Sequence, residues 1–432
     1  MSVQKDITSP FNFLFLSAPG GISFGFVSVT LPYILTQHGF SVGQAAGITA
    51  IGLSANLWRF LWAPIVDLTL SLNKWYLIGV SLCALSLMAI GMVPLDAGYK
   101  TLLIIMVFIS QVAATFSVAP VGGMMAKVVD ESQKGRTAGF YQAGNLGGIG
   151  IGGGAGIWLT THFSYLISLI VIAVAMLFCA LALRNIPTVV SEKGAVKERV
   201  KSILFDVREL LKSKIAIYSA LLIMTPIGIG ALGSMWSSIA ANWSVLPDTI
   251  ALVTGVLSAI ASILGCTVGG WWCDKMNQWW GFFGAGFIML VITLILAVVP
   301  FTPLFYIAGV LFYAFATGLA FAAFSAVVLH AIGKGAASTK YALFSSLGNV
   351  APVYMLAVDG WIYDLKGVKV TLLMEALFGL IFILLFVFIL WRLKFSKEDH
   401  KTPIDEIVTA PEIEKILVAP EKHLRNDIDG DG

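Results

Sequence analysis

Apolar residues recur along this chain in runs of about twenty, separated by short polar turns. Twelve runs are legible: 11–35, 43–67, 75–94, 101–126, 139–160, 163–184, 215–240, 249–272, 279–299, 303–329, 339–362 and 369–392. A helix of roughly twenty residues, rising about 1.5 Å per residue, crosses a hydrocarbon core of about 30 Å. Long stretches of apolar–polar alternation are missing, which favours helices over a barrel. Pro and Gly interrupt several runs. The expected fold class is therefore an all-α integral membrane protein with twelve transmembrane helices.

Composition agrees with that reading. Of 432 residues, 58% are hydrophobic and 12% charged, against about 25% charged in soluble domains. The 43 glycines suit helices that approach closely in a membrane. The turns are too short to hold a large soluble domain. Cys83, Cys179, Cys266 and Cys273 lack ligand-like spacing and read as small core residues. No metal or cofactor is expected, and nothing in the net charge of +3 points to nucleic acid. Met1 to Pro10 shows no cleavable signal, so the run after it is expected to remain as the first span.

Charge placement orients the chain. Loops 68–74, 127–138, 185–214, 273–278 and 330–338, with both tails and the adjoining helix ends, hold 23 of the 27 lysines and arginines. Lys100, Lys366 and Lys369 lie on the other side, and Arg59 falls inside a run. This bias places both termini in the cytoplasm. The longest connection, 185–214, contains an expected interdomain linker at 191–214. Near 196–212 it is either an amphipathic surface helix or a solvated charge run. The domains expected are a six-helix bundle at 1–190, a second at 215–395, and a disordered cytoplasmic tail at 396–432.

The two halves echo each other. Ala63 to Asp67 ends the second run, and Gly270 to Lys275 ends the eighth. Asp67 and Asp274 are 207 positions apart, as are Lys127 and Lys334. Gly144-Asn145 and Gly348-Asn349 are displaced by 204. Three pairs at nearly one displacement point to a duplicated six-helix unit, the pseudo-symmetry that lets two bundles rock about a shared cavity.

Few charged or polar residues fall within the runs, so each one matters. Arg59 and Asp67 are eight positions apart, about 12 Å along a helix and on broadly the same side. A buried arginine faces a bundle interior or a wet cavity. Arg59 is either a clamp for a carboxylate or phosphate, or a structural or snorkelling charge. Trp58 and Trp62 sit at i,i+4 beside it, either lining a pocket or packing. Tyr141, Gln142 and Asn145 in the fifth run offer either an uncharged cavity wall or polar contacts between helices, echoed by Tyr341, Ser345, Ser346 and Asn349 in the eleventh. The glycines that follow Asn145 are not a phosphate loop, since they lack a strand and a Gly-Lys-Ser/Thr ending. Close helix contact and bending explain them better. Glu375 is the favoured proton carrier, because burial lets a carboxyl hold its proton. Asp359 is the second candidate, though it reads more readily as a residue of the outer mouth. Asp67, Asp274, Lys275, Asp130 and Arg136 form an expected cytoplasmic gating layer, with no chemistry, and His330 carries only a weak signal.

Gly270-Trp-Trp-Cys-Asp274-Lys275 fits the Gly-x-x-x-Asp-Arg/Lys motif that follows the second span of each half in the major facilitator superfamily. The first copy departs from it at Ala63 and Leu68. Arg59-Phe-Leu-Trp-Ala-Pro-Ile-Val-Asp67 is similar to the region Lys-Phe-Leu-Trp-Ala-Pro-Leu-Val-Asp of bacterial muropeptide permeases. These belong to a peptide, acetyl-coenzyme A and drug transporter group. Gly20, Gly25 and Leu31-Pro32-Tyr33 also resemble this branch, and Arg59 takes the place of its membrane lysine. The resemblance implies alternating access, with proton-coupled import of a muropeptide, siderophore or related anionic or amphipathic solute. A proton-coupled drug or metabolite exporter is the alternative, and an enzyme acting on lipid-linked substrates fits less well. The expected partners are a small solute, protons and bilayer lipid, with a monomer as the functional unit.

Overall fold

The computed structural model describes residues 9–129, 133–189, 214–275, 278–332 and 343–393, together with residues 201, 205 and 208. Residues up to Ile383 form one compact unit, and Leu384 onward a second that begins in the last helix. Among the described residues, all regular structure is helical.

In chain order the helices are α1 (Asn12–Gly25), α2 (Leu31–Gln37), α3 (Val42–Leu53), α4 (Ala55–Leu68), α5 (Leu72–Met92), α6 (Lys100–Val128), α7 (Lys134–Gly150) and α8 (Gly156–His162). There follow α9 (Tyr165–Cys179), α10 (Lys214–Ile223), α11 (Trp236–Ile239), α12 (Pro247–Leu252), α13 (Ser258–Lys275), α14 (Gln278–Val298), α15 (Pro303–Ile332) and α16 (Val350–Leu393). Every one of the twelve predicted runs contains helix. Eight described helices are long and apolar enough to cross a membrane. The runs 43–67, 139–160 and 215–240 are not among them, and each has a local reason. The first breaks at Ser54 between α3 and α4. In the second, α7 is rich in glycine and polar residues. The third unwinds after α10.

The described part of the eleventh run and nearly all of the twelfth lie in one long helical stretch, Leu343–Trp391. A straight helix of its 49 residues would run about 74 Å, far more than a bilayer. Gly367, at φ +76°, divides it. That left-handed backbone carries a steric penalty for any residue with a Cβ, so glycine marks the break.

One-turn π-helices join α1 to α2 (Phe26–Thr30), α7 to α8 (Ile151–Ala155) and α12 to α13 (Val253–Leu257). A π turn shifts the hydrogen-bond ladder and strands carbonyls. Thr30 Oγ1 satisfies two of them, donating to Gly152 O at 2.8 Å and Gly153 O at 2.7 Å. The glycine run of α7 permits this approach. A Cβ on Gly144 or Gly152 would collide with the carbonyls of Leu14 or Ile22 across the α1–α7 contact.

The two sequence halves also touch each other. Gly43 and Ala46 of α3 meet Gly360 of α16, with the backbones at van der Waals contact. Gly154 and Gly150 meet Ala251 and Gly255. Ser237 Oγ donates to Val29 O at 2.7 Å. Gly43 lies in the second run and Gly360 in the eleventh, while Gly154 lies in the fifth and Gly255 in the eighth. Each glycine contact therefore joins a run of the first half to a run of the second, in the crosswise pairing that the expected duplication implies. All three lie in the half of each span that is expected to face outward.

Candidate functional site

The break at Gly367 brings two acids together. Asp359 and Glu375 are each eight residues from it, so the reversed helices return both carboxyls to about the same depth, roughly 12 Å from the turn. Asp359 is fully buried and not at a mouth, and Glu375 is 7% exposed. Both oxygens of Asp359 and Oε2 of Glu375 lack a hydrogen-bond partner among the described residues. Tyr313 Oη donates to Glu375 Oε1 at 2.5 Å. Among the described residues no cation faces either acid. Two buried charges without a cation are costly, so this arrangement suits a proton as the neutralising species.

Aromatic residues wall the acids. Tyr306 and Tyr313 recur at i,i+7 on α15, hence on one face. The Trp236 ring lies edge-on to both, at 5.5 Å from Tyr313 and 6.2 Å from Tyr306. Tyr306 Oη donates to Trp236 O at 2.9 Å. Trp243 stacks behind them against Tyr306 and Phe301. The indole N–H groups of Trp236 and Trp243 are buried without a partner among the described residues. Tyr313 and Trp236 escaped the sequence reading. Two tyrosines seven apart in an otherwise apolar run were the available signal.

The seventh span is open beside this cluster. Pro226 removes a backbone donor, and Gly228 and Gly230 adopt φ +65° and +70°. Residues 224–230 leave the helix, and regular structure resumes as a 3₁₀ turn at Ala231–Ser234. Tyr354 Oη donates to Met224 O at 3.1 Å.

Asp364 joins the halves at the expected outer end. Its Oδ2 accepts from Ser41 Oγ at 2.5 Å and its Oδ1 from the Gly43 amide at 2.9 Å. Ser41 is the N-cap of α3, so the carboxylate sits at the positive end of that helix. Beside it, Asn242 Nδ2 donates to Tyr363 Oη at 2.7 Å.

Arg59 is half-buried on α4, and Trp58 beside it is 48% exposed. Trp62 faces elsewhere. Its Nε1 donates to Thr115 Oγ1 at 2.9 Å, and its ring stacks on Phe116. The i,i+4 tryptophan pair thus divides, with Trp62 in packing. On α7, Tyr141 and Asn145 are half-buried and Gln142 is exposed. The Tyr141 carbonyl accepts from Ser17 Oγ at 2.7 Å. Ser345 and Asn349 are half-buried, and Asn349 Nδ2 donates to Ser345 O at 2.7 Å. Tyr341 and Asp130 lie outside the described residues, as do the side chains of Asp67, Asp274, Arg136 and His330. Lys275 Nζ stands 4.1 Å over the Trp271 ring.

No curated protein matches the chain by sequence. Solved structures match it by fold. A POT family transporter in complex with 5-aminolevulinic acid superposes with a TM-score of 0.69 at 9% identity, covering 88% of this chain and 95% of that one. A bacterial homolog of the human lysosomal transporter Spinster, inward-facing and unoccupied, gives 0.69 at 13% identity, with 89% and 97% covered. A D-xylose–proton symporter gives 0.68 at 13% identity, with 88% and 96% covered. The family profile of the Major Facilitator Superfamily matches residues 13–354 and again residues 222–424. An all-helical membrane fold with that match over most of its length is a transporter and not an enzyme: the chain belongs to the Major Facilitator Superfamily.

Proposed function

We propose that this chain is a proton-coupled permease of a bacterial inner membrane, importing an amphipathic or anionic solute by alternating access. The observation that carries the reading is the buried acid pair, Asp359 and Glu375, with Tyr313 as donor and no cation among the described residues. The D-xylose–proton symporter of similar fold is in keeping with it. The bundles at 1–190 and 215–395 are the rocking bodies, joined through 191–214. Contacts between the halves cluster at the outer end, which fits a carrier open to the cytoplasm, the state named for the Spinster homolog. Asp67, Asp274, Lys275, Asp130 and Arg136 would form the opposing latch when the inner side closes.

Arg59 with Trp58 is the proposed solute contact, and Tyr141, Gln142, Asn145, Tyr341, Ser345 and Asn349 the polar walls. A guanidinium beside an indole suits a solute with a carboxylate or phosphate at one end and an apolar body. The likeness of residues 59–67 to muropeptide permeases directs the first candidates toward sugar-peptides. The test is uptake into proteoliposomes of muropeptides, siderophores and small anions, with and without an imposed proton gradient. Accumulation of one of them that collapses with the gradient supports the reading. Uptake that equilibrates but never accumulates, whatever the gradient, would overturn proton coupling.

A further inference from the structure

A continuous chain of contacts runs from the buried acid on the last helix to the seam between the halves. Tyr313 Oη donates to Glu375 Oε1 at 2.5 Å. The Tyr313 ring meets the Trp236 ring edge-on, with centroids 5.5 Å apart and planes at 82°. Tyr306, on the same face of α15, donates from Oη to the Trp236 carbonyl at 2.9 Å. Trp236 opens the one-turn helix α11. The next residue, Ser237, donates from Oγ to Val29 O of the first half at 2.7 Å. Val29 lies in the π turn Phe26–Thr30. Donors are scarce there, because Pro32 carries no N–H, and Thr49 Oγ1 reaches Val27 O at 3.3 Å. Every member of the chain is buried: Glu375, Tyr313, Tyr306, Trp236, Ser237 and Val29. That separates Ser237 from Asp364, whose bonds across the same seam are exposed. Water replaces an exposed bond, but a buried carbonyl that loses its donor bears the full desolvation cost.

We propose that Trp236 and Ser237 are the positioning residues that link Glu375 to the outer seal between the halves. The inference rests on Glu375 as the proton carrier. With Glu375 ionised, the Tyr313 bond is charge-assisted, and it pins the phenol against the Trp236 ring. With Glu375 neutral, that bond is about half as strong. A close-packed interior leaves no slack in which one ring moves alone, so a shift of Tyr313 passes to Trp236. The Tyr306 bond ties the Trp236 backbone to α15, so α11 answers to movement of that helix. Ser237 moves with its chain neighbour and lets go of Val29 O. The charged carrier is therefore held shut on the outside, and the neutral carrier rests open there until a solute binds. That order has a use, because a proton bound without solute does not cross.

Double electron–electron resonance on the full chain in nanodiscs tests this. The four native cysteines are replaced by serine. Nitroxides are attached at Gln37→Cys and Leu304→Cys, exposed positions at the expected outer ends of the first and tenth spans. The populations of short and long distances, all at pH 9, give the ratio of outer-shut to outer-open molecules. Ser237→Ala is expected to shift that ratio about fivefold toward open, the factor that one hydrogen bond of roughly 1 kcal/mol gives. Glu375→Gln, neutral at every pH, and Tyr313→Phe, which keeps the ring, are expected to shift it the same way. The deciding readout is the double-mutant cycle. Contacts acting in one chain make Glu375→Gln add little to Ser237→Ala, and little to Trp236→Leu, which removes the ring that Tyr313 meets. A merely loosened fold would give additive shifts. Additive shifts, or no shift from Ser237→Ala or from Glu375→Gln, overturn the inference and leave the proton carrier standing. Gradient-driven accumulation that survives Glu375→Gln in the uptake assay removes the carrier itself, and the inference with it. A single narrow distance in every variant overturns alternating access and the inference together.

Discussion

At the scale of residues, three charged side chains were visible as anomalies in apolar runs, and the structure gives them unequal settings. Glu375 has a donor on one oxygen and nothing among the described residues on the other. Its proton is therefore its natural second partner. Glu375→Gln keeps the size and can still accept from Tyr313. Gradient-driven accumulation is expected to vanish, while exchange of labelled for unlabelled solute continues. Accumulation at the original level would remove Glu375 from the coupling path. Arg59 sits half-buried next to the exposed Trp58. Arg59→Gln removes a charge and a planar fork of donors. Losing a charge-assisted contact of about 1.5–3 kcal/mol raises the apparent KM for an anionic solute by roughly 10- to 100-fold. An unchanged KM in the uptake assay would leave Arg59 a structural charge. Asp359 is the instructive case. Its position near the end of the eleventh run suggested a mouth residue, but distance along a helix does not tell which neighbours cover it. Its burial arises from the return of the chain at Gly367.

At the scale of elements, the apolar runs were legible because the bilayer imposes their length, and their interruptions were not. Nothing in the period of residues 215–240 distinguishes a continuous span from one that opens at 224–230. Pro226, Gly228 and Gly230 were each permissible in a membrane helix. Only the neighbours decide: Tyr354 and the face of α15, through Thr317 and Ala320, hold the open form. The run after Asn145 was more readable. Its glycines at four-residue spacing form a stripe, and that stripe lies against α1. The packing can be tested at one residue. A Cβ on Gly148 would meet Ala18 O at 2.5 Å and Ile22 N at 3.0 Å. Both are backbone atoms, which cannot swing aside. Gly148→Val is expected to destabilise the fold by about 1–3 kcal/mol, an overpacking penalty. Gly147→Val, one position along, meets nothing within 4 Å and is expected to be nearly neutral. Thermal unfolding of the two variants in the same detergent compares them, and equal midpoints would show that the stripe does not set the α1–α7 distance.

At the scale of the whole molecule, the duplication explains why the halves meet through two glycine contacts of one kind. Gly43 against Gly360 and Gly154 against Gly255 are both close glycine contacts between the halves. Glycine contacts bury little and hold weakly, so such a seal can open and close. Asp364 breaks the symmetry by adding directed hydrogen bonds to one of the two contacts. It is exposed, so its hold is screened and modest, which suits a latch released in every cycle. Covalent closure at this point therefore tests alternating access directly. Ser41 and Asp364 touch through their side chains, close enough for cysteines in their place to bridge. With Ser41→Cys and Asp364→Cys together, mild oxidation is expected to abolish solute uptake, and reduction to restore it. Each single variant, oxidised alongside, reports any effect of the four native cysteines. Uptake that persists after quantitative cross-linking would mean that the contact of α3 with α16 stays shut throughout transport, and the rocking of the two halves about this seal would have to be abandoned.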